Sequence, residues 1–127
     1  MINSQQLVLN ALTVIAEISV NKLALLTETK SNNLLDIREA NEVVDGVIPG
    51  SIWIPRGLLE FQIISLTEQL HWNINKEIYI CCRSGNRSAL AAKTLLEMGF
   101  KKPISVVGGF SAWRDTGLPV TKDIIHF

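Results

Sequence analysis

A chain of 127 residues, 47% of them apolar and none in a low-complexity tract, has the material for one hydrophobic core in one domain, which excludes a disordered chain. Twelve acidic residues balance twelve basic ones. With no net field, nucleic acid and anionic membrane surfaces are poor partners, and any anion binding has to come from local geometry.

Within Ser4 to Glu17, Val8, Ala11, Leu12 and Ile15 follow an i, i+3, i+4, i+7 course, which predicts an amphipathic helix. Residues 1–17 therefore read as a helical extension and residues 18–127 as the domain proper. The helix either packs on its own domain or forms a dimer contact, so a monomer or weak homodimer is expected. The apolar stretch from Leu7 to Val20 is broken by Asn10, Thr13, Glu17 and Ser19 and is shorter than the roughly 20 residues that span a bilayer. No basic residue precedes it and no small-x-small cleavage site follows, which argues against a secretory signal.

Short apolar runs come next, at Leu34 to Ile37, Ser51 to Ile54, Ile78 to Cys82 and Ile104 to Val107. Apolar at nearly every position, they read as strands buried on both faces, the pattern of a parallel sheet. Helical stretches lie between them: Arg38 to Val44 before Asp45-Gly46, Leu58 to Leu70, and Ala89 to Met98 before a C′ glycine, Gly99. Strand and helix alternation predicts an α/β sandwich with its chemistry at the carboxyl ends of the strands.

Cys82-Arg83-Ser84-Gly85-Asn86-Arg87-Ser88 stands at such an end. A thiolate there faces backbone N–H groups, the positive end of a helix and two guanidinium groups, all of which favour charged sulfur. A structural reading makes Cys82 a small apolar side chain, but that gives no reason for a glycine turn and two arginines beside it. Ser88 reads as the N-cap of a helix beginning at Ala89. Cys81 alternates to the other face of the strand and belongs to the core. A disulfide between two adjacent cysteines is strained, which points to a reducing compartment, the cytoplasm.

The Cys82–Ser88 segment resembles the active-site loop of rhodanese-like sulfurtransferase domains. Three further segments resemble the same family in the same order: Asp36-Ile37-Arg38-Glu39, Gly46-Val47-Ile48-Pro49-Gly50-Ser51-Ile52, and Gly108-Gly109-Phe110-Ser111-Ala112-Trp113 with Gly117-Leu118-Pro119-Val120. Val47 and Ser51 stand where that family commonly has His and Ala, and the likeness runs from about Ile18 to Val120. It implies a central, mostly parallel sheet of about five strands with helices on both faces. It also implies a cycle without cofactor or metal, in which Cys82 takes sulfur from a donor such as thiosulfate and a second nucleophile, cyanide, a thiol or a protein partner, removes it.

In that cycle the N–H groups from Arg83 to Ser88 surround the transferred sulfur. Arg83 is expected to face the donor and Arg87 to brace the loop against Asp36 or Glu39. Asp36 and Arg38 form either an ion pair behind the loop or a simple closure of the strand-to-helix turn. Trp53, Trp72 and Trp113 read as core or core-edge residues, there being no basic stripe beside them. His71 and His126 have no metal-ligand spacing and belong at the surface. Two other functions compete: a binding module without turnover, which usually lacks the nucleophile, and phosphatase chemistry, which uses a Cys-x5-Arg loop. Here only four residues separate Cys82 from Arg87.

Overall fold

A computed structural model describes every residue from Met1 to Phe127. In chain order the elements are α1 (Ser4–Leu12), β1 (Ala16–Ile18), α2 (Val20–Thr29), β2 (Leu34–Asp36), α3 (Ala40–Val43), β3 (Ile52–Trp53) and a 3-10 turn (Arg56–Leu58). They continue with α4 (Leu59–Leu70), β4 (Glu77–Cys81), α5 (Asn86–Glu97), β5 (Lys102–Val106), α6 (Gly109–Asp115) and β6 (Ile125–His126). The strands form one parallel sheet in the order β1-β5-β4-β2-β3-β6.

The sheet has six strands where about five are expected. The two strands outside the four apolar runs are edge pieces that carry little apolar signal: β1 is Ala-Glu-Ile, with its first two residues exposed, and β6 has two exposed residues. The helix expected over 4–17 stops at Leu12, with Thr13 as its C-cap. The β-branched run Thr13-Val14-Ile15 leads out of it, and Ala16 to Ile18 pair with Ile104 to Val106. Helix α2, which the periodicity reading passed over, starts at Ser19, whose side chain accepts from the Lys22 N–H, and buries Val20, Leu23 and Ala24.

Alternation along the central strand builds two cores. Ile78, Ile80 and Cys82 face α4 and α5 with Leu35, Ile63 and Leu95, whereas Tyr79 and Cys81 face α2 and α6 with Leu23, Val106 and Trp113. Trp113 is buried and donates its indole N–H to the Pro119 carbonyl at 2.7 Å. Trp53 and Trp72 are half-buried, and both histidines are exposed. No helix is long and apolar enough to cross a membrane.

Helix α5 ends as the sequence predicts. Gly99 has φ 104°, and the Gly99 and Phe100 N–H groups bond back to the Leu96 and Leu95 carbonyls. A Cβ at Gly99 would meet no atom within 4 Å, so Gly99→Ala carries backbone strain alone. We expect a loss of roughly 1–2 kcal/mol in urea unfolding with an unchanged slope.

Candidate functional site

The loop after β4 begins at Cys82, and α5 starts at Asn86, three residues before the position expected from sequence. Gly85, in left-handed conformation at φ 97°, occupies the cap position and supplies no side chain to it. The sulfur of Cys82 does that work instead. Its Sγ accepts the Gly85 N–H at 3.1 Å and the Ser88 N–H at 3.3 Å, so it satisfies amide donors that a capping oxygen would otherwise take. Ser88 is therefore not the N-cap. It sits one turn into the helix, fully buried, with its hydroxyl 3.4 Å from the same sulfur.

Helix α6 holds the other side of the loop. The Phe110 N–H donates to the Cys82 carbonyl at 2.8 Å and the Ser111 N–H to the Arg83 carbonyl at 3.0 Å. This approach needs glycine, because a Cβ on Gly109 would collide with the Cys82 carbonyl oxygen and the Arg83 backbone. The Ser84, Asn86 and Arg87 N–H groups donate to no protein acceptor.

The two loop arginines separate. Arg83 is exposed and belongs to none of the ion pairs. Arg87 does brace the loop, but its partner is neither Asp36 nor Glu39. Both of its terminal nitrogens bond Glu42 of α3 at 2.8 Å, a bidentate pair that sequence reasoning missed because the partner lies 45 residues away. A signal was present: Glu42 stands three residues after Glu39, and the two form a capping box that fixes the start of α3. The Arg87 hydrogen bonds hold the Glu42 carboxyl at about 2, against the opposing effect of its burial.

Asp36 and Arg38 do meet, buried, as a bidentate pair at 2.8 to 3.1 Å. Arg38 reaches further, donating to the Glu42 and Gly46 carbonyls at 3.3 and 2.8 Å and lying 4.1 Å above the Phe110 ring. It links α3, the Gly46 turn and the residue of α6 that holds the Cys82 carbonyl. Cys81 lies on the opposite face and donates to the Cys82 carbonyl at 3.3 Å; burial pushes its thiol well above the ordinary range, with Asp36 adding to the effect. Both cysteines are free thiols.

Helix α1 packs on α5. Between them runs a groove of about 610 Å³, with Val8, Leu9 and Leu12 on one wall and Asn86, Arg87 and Leu90 on the other. The N-terminal segment thus borders the loop.

The Glu42–Arg87 pair generates a pH prediction. The folded value of Glu42 is depressed, so its stabilisation is complete above the ordinary carboxyl value of 4.5 and is lost as pH falls through about 2. With the Arg87 side chain 37% exposed, solvent screens the pair to about 1 kcal/mol. Glu42→Gln should therefore be less stable than the wild type at pH 7 in denaturant titrations, and the gap should close as the pH approaches 2.

The sequence model of the rhodanese-like domain family matches residues 19–116. Among curated proteins, the chain is 45% identical over 84 residues to a Bacillus subtilis protein provisionally named as the sulfur carrier YrkF, a match that covers 66% of this chain and 42% of that one. It is 34% identical to the thiosulfate sulfurtransferase GlpE of Shewanella oneidensis, over 77% of this chain and 91% of that one. Among solved structures, a Rhodopseudomonas palustris protein of unknown function, described as a "Possible Tyrosine Phosphatase", superposes with a TM-score of 0.86 at 33% identity, covering 95% of this chain and 96% of the other.

Proposed function

Because the chain belongs to the rhodanese-like domain family, we propose that it is a sulfurtransferase that moves sulfane sulfur from thiosulfate or a similar donor to cyanide or a thiol through a Cys82 persulfide. The observation that carries this reading is the seating of the Cys82 sulfur on the Gly85 and Ser88 N–H groups. Amide donors at this distance stabilise a thiolate, and the Ser84, Asn86 and Arg87 N–H groups remain for an outer sulfur.

In the first step the Cys82 thiolate attacks the outer sulfur of thiosulfate. A bond forms between the two sulfurs, the sulfur–sulfur bond of the donor breaks, and sulfite leaves with its electron pair. In the second step a thiolate or cyanide attacks the outer sulfur of the persulfide, and Cys82 leaves as thiolate. Arg83, exposed and without an ion pair, is the cation that attracts the anionic donor. Neither step needs a metal or cofactor. The partners in this reading are small molecules or a protein persulfide, without nucleic acid or membrane, and a monomer or weak homodimer suffices. Two free thiols favour a reducing compartment, the cytoplasm.

Phosphatase chemistry is the second reading, raised by the description of the Rhodopseudomonas relative. Two observations weigh against it. Arg87, the loop cation that a phosphoryl group would require, is occupied by Glu42. Glu42 itself, held at about 2, is ionised at neutral pH and has no proton to give a leaving oxygen.

Intact-mass analysis after thiosulfate treatment should show the gain of one sulfur atom, removed by cyanide. Cys82→Ser should abolish both the gain and thiocyanate formation, while a folded Cys81→Ser keeps them. Aryl-phosphate hydrolysis by the same preparation at a rate matching sulfur transfer, and dependent on Cys82, would sink the proposal.

The two arginines should separate in the same assay. Arg83→Ala should raise KM for thiosulfate several-fold with little change in melting temperature, whereas Arg87→Ala should also lower thermal stability, since it frees Glu42.

A further inference from the structure

The site contains one buried polar group that the cycle above does not use. Ser105 lies in β5, fully buried, beside Ile80 of β4 in the parallel register. Its neighbours Ile104 and Val106 pack toward α2 and α6, so Ser105 points to the opposite face, under α5. There its Oγ lies 2.7 Å from the Ser88 Oγ and 3.5 Å from the Gly85 carbonyl oxygen. Buried side-chain polar atoms are all hydrogen-bonded in this structure, so the hydroxyl is matched to its surroundings.

The charge on the sulfur orients this chain of hydroxyls. Ser105 has one proton and two acceptors within reach, and 2.7 Å is the usual length of an O–H···O bond whereas 3.5 Å is at its limit. The Gly85 carbonyl already accepts the Ala89 N–H at 3.3 Å, so it does not depend on Ser105. Either hydroxyl can donate across the 2.7 Å contact, and with the sulfur charged Ser88 gives its proton to Sγ while Ser105 donates to Ser88. With that lone pair filled, the Ser88 proton turns to its other neighbour, the Cys82 sulfur at 3.4 Å. In this direction the chain delivers a third hydrogen bond to the thiolate, beside the Gly85 and Ser88 amides. In the thiol state the whole chain reverses, the S–H donating to Ser88, Ser88 to Ser105, and Ser105 to the long contact at Gly85. The 2.7 Å bond between the serines persists in both directions, but the reversal replaces a bond from Ser88 to charged sulfur with a weak S–H donor bond and the long Gly85 contact, and so disfavours the thiol. Without the Ser105 hydroxyl, Ser88 is free to turn its proton back to a carbonyl of the preceding turn, as serines in helices do. Ser88 and Ser105 are both fully buried, so bulk water does not reach the vacated place.

We propose that Ser105 is a positioning residue for the nucleophile: through Ser88 it directs a hydroxyl proton onto the Cys82 sulfur and thereby favours the thiolate. The inference rests on the reading of Cys82 as the nucleophile, and its test requires no sulfur donor.

The measurement is the rate of iodoacetamide alkylation at Cys82, followed by peptide mass, in the wild type and in Ser105→Ala, Ser105→Thr and Ser105→Val. Threonine and valine have the same shape and differ in the hydroxyl alone. At pH 7 the Ala and Val variants should react roughly threefold to tenfold more slowly, the range expected for one lost hydrogen bond, while Thr stays near the wild type. At pH high enough to ionise the sulfur in every variant the four rates should converge, since the hydroxyl then no longer decides the charge and access to the sulfur is unchanged. A Thr rate equal to that of Val, a ratio that persists at high pH, or no slowing in Ala overturns the proposal. Ser105→Ala in a Ser88→Ala background should add nothing; an additive loss would show that Ser105 does not act through Ser88. If the Thr and Val contrast holds in a protein that transfers no sulfur, the sulfurtransferase reading fails and the hydroxyl chain stands.

Discussion

The site depends on two hydrogen bonds that never touch the sulfur, those from the Phe110 and Ser111 N–H groups to the carbonyls of Cys82 and Arg83. A planar peptide unit points its carbonyl and its N–H in opposite directions. Anchoring these two carbonyls on α6 therefore turns the Arg83 and Ser84 N–H groups away from α6. The two glycines permit this arrangement. Gly109 lets the α6 backbone reach the loop, and Gly85 turns the chain back with a left-handed residue so that its own N–H meets Sγ.

The anchoring element has to be held in turn, and a buried ion pair does it. Asp36 ends β2 in register with Cys81 of β4, and Arg38 follows two residues beyond the strand. Removing two charges from water costs several kcal/mol per ion, so the pair is a poor source of net stability. What it supplies is position. The one guanidinium binds Asp36, the last turn of α3 and the Gly46 carbonyl, and supports the Phe110 ring. The pair spans the strand-to-helix turn, and the Phe110 ring beside its guanidinium ties it to the element that holds the loop.

Glu42 carries this support across to α5. Its backbone carbonyl takes Arg38 and its carboxylate takes Arg87, so a helix of four residues couples the buried pair to the start of α5. The same contact withdraws Arg87 from the loop centre. The local charge that remains open to an anion is Arg83, and within the loop the Gly85 and Ser88 amides close on the sulfur.

The strand-to-helix order, the buried parallel strands and the family were legible in the sequence, because each rests on a local pattern: runs of apolar residues, a glycine turn, one cysteine at a strand end. Opposite faces for Cys81 and Cys82 followed from the two-residue period of a strand alone, as the two cores confirm. What stayed hidden involved partners distant in the chain or signals too short to register. Strand β1 merged into the apparent helix of residues 4–17, since three residues on a sheet edge owe their conformation to pairing with β5. Ser88 looked like a cap, and only folding showed that a sulfur six residues earlier had taken that role. Arg87 found Glu42 and Ser88 found Ser105 because packing brings α3 and β5 against α5. A sequence determines which groups can donate, accept or ionise, since these belong to single residues; which of them meet is decided by tertiary structure, because hydrogen bonds act over about 3 Å and distance along the chain does not measure distance in space.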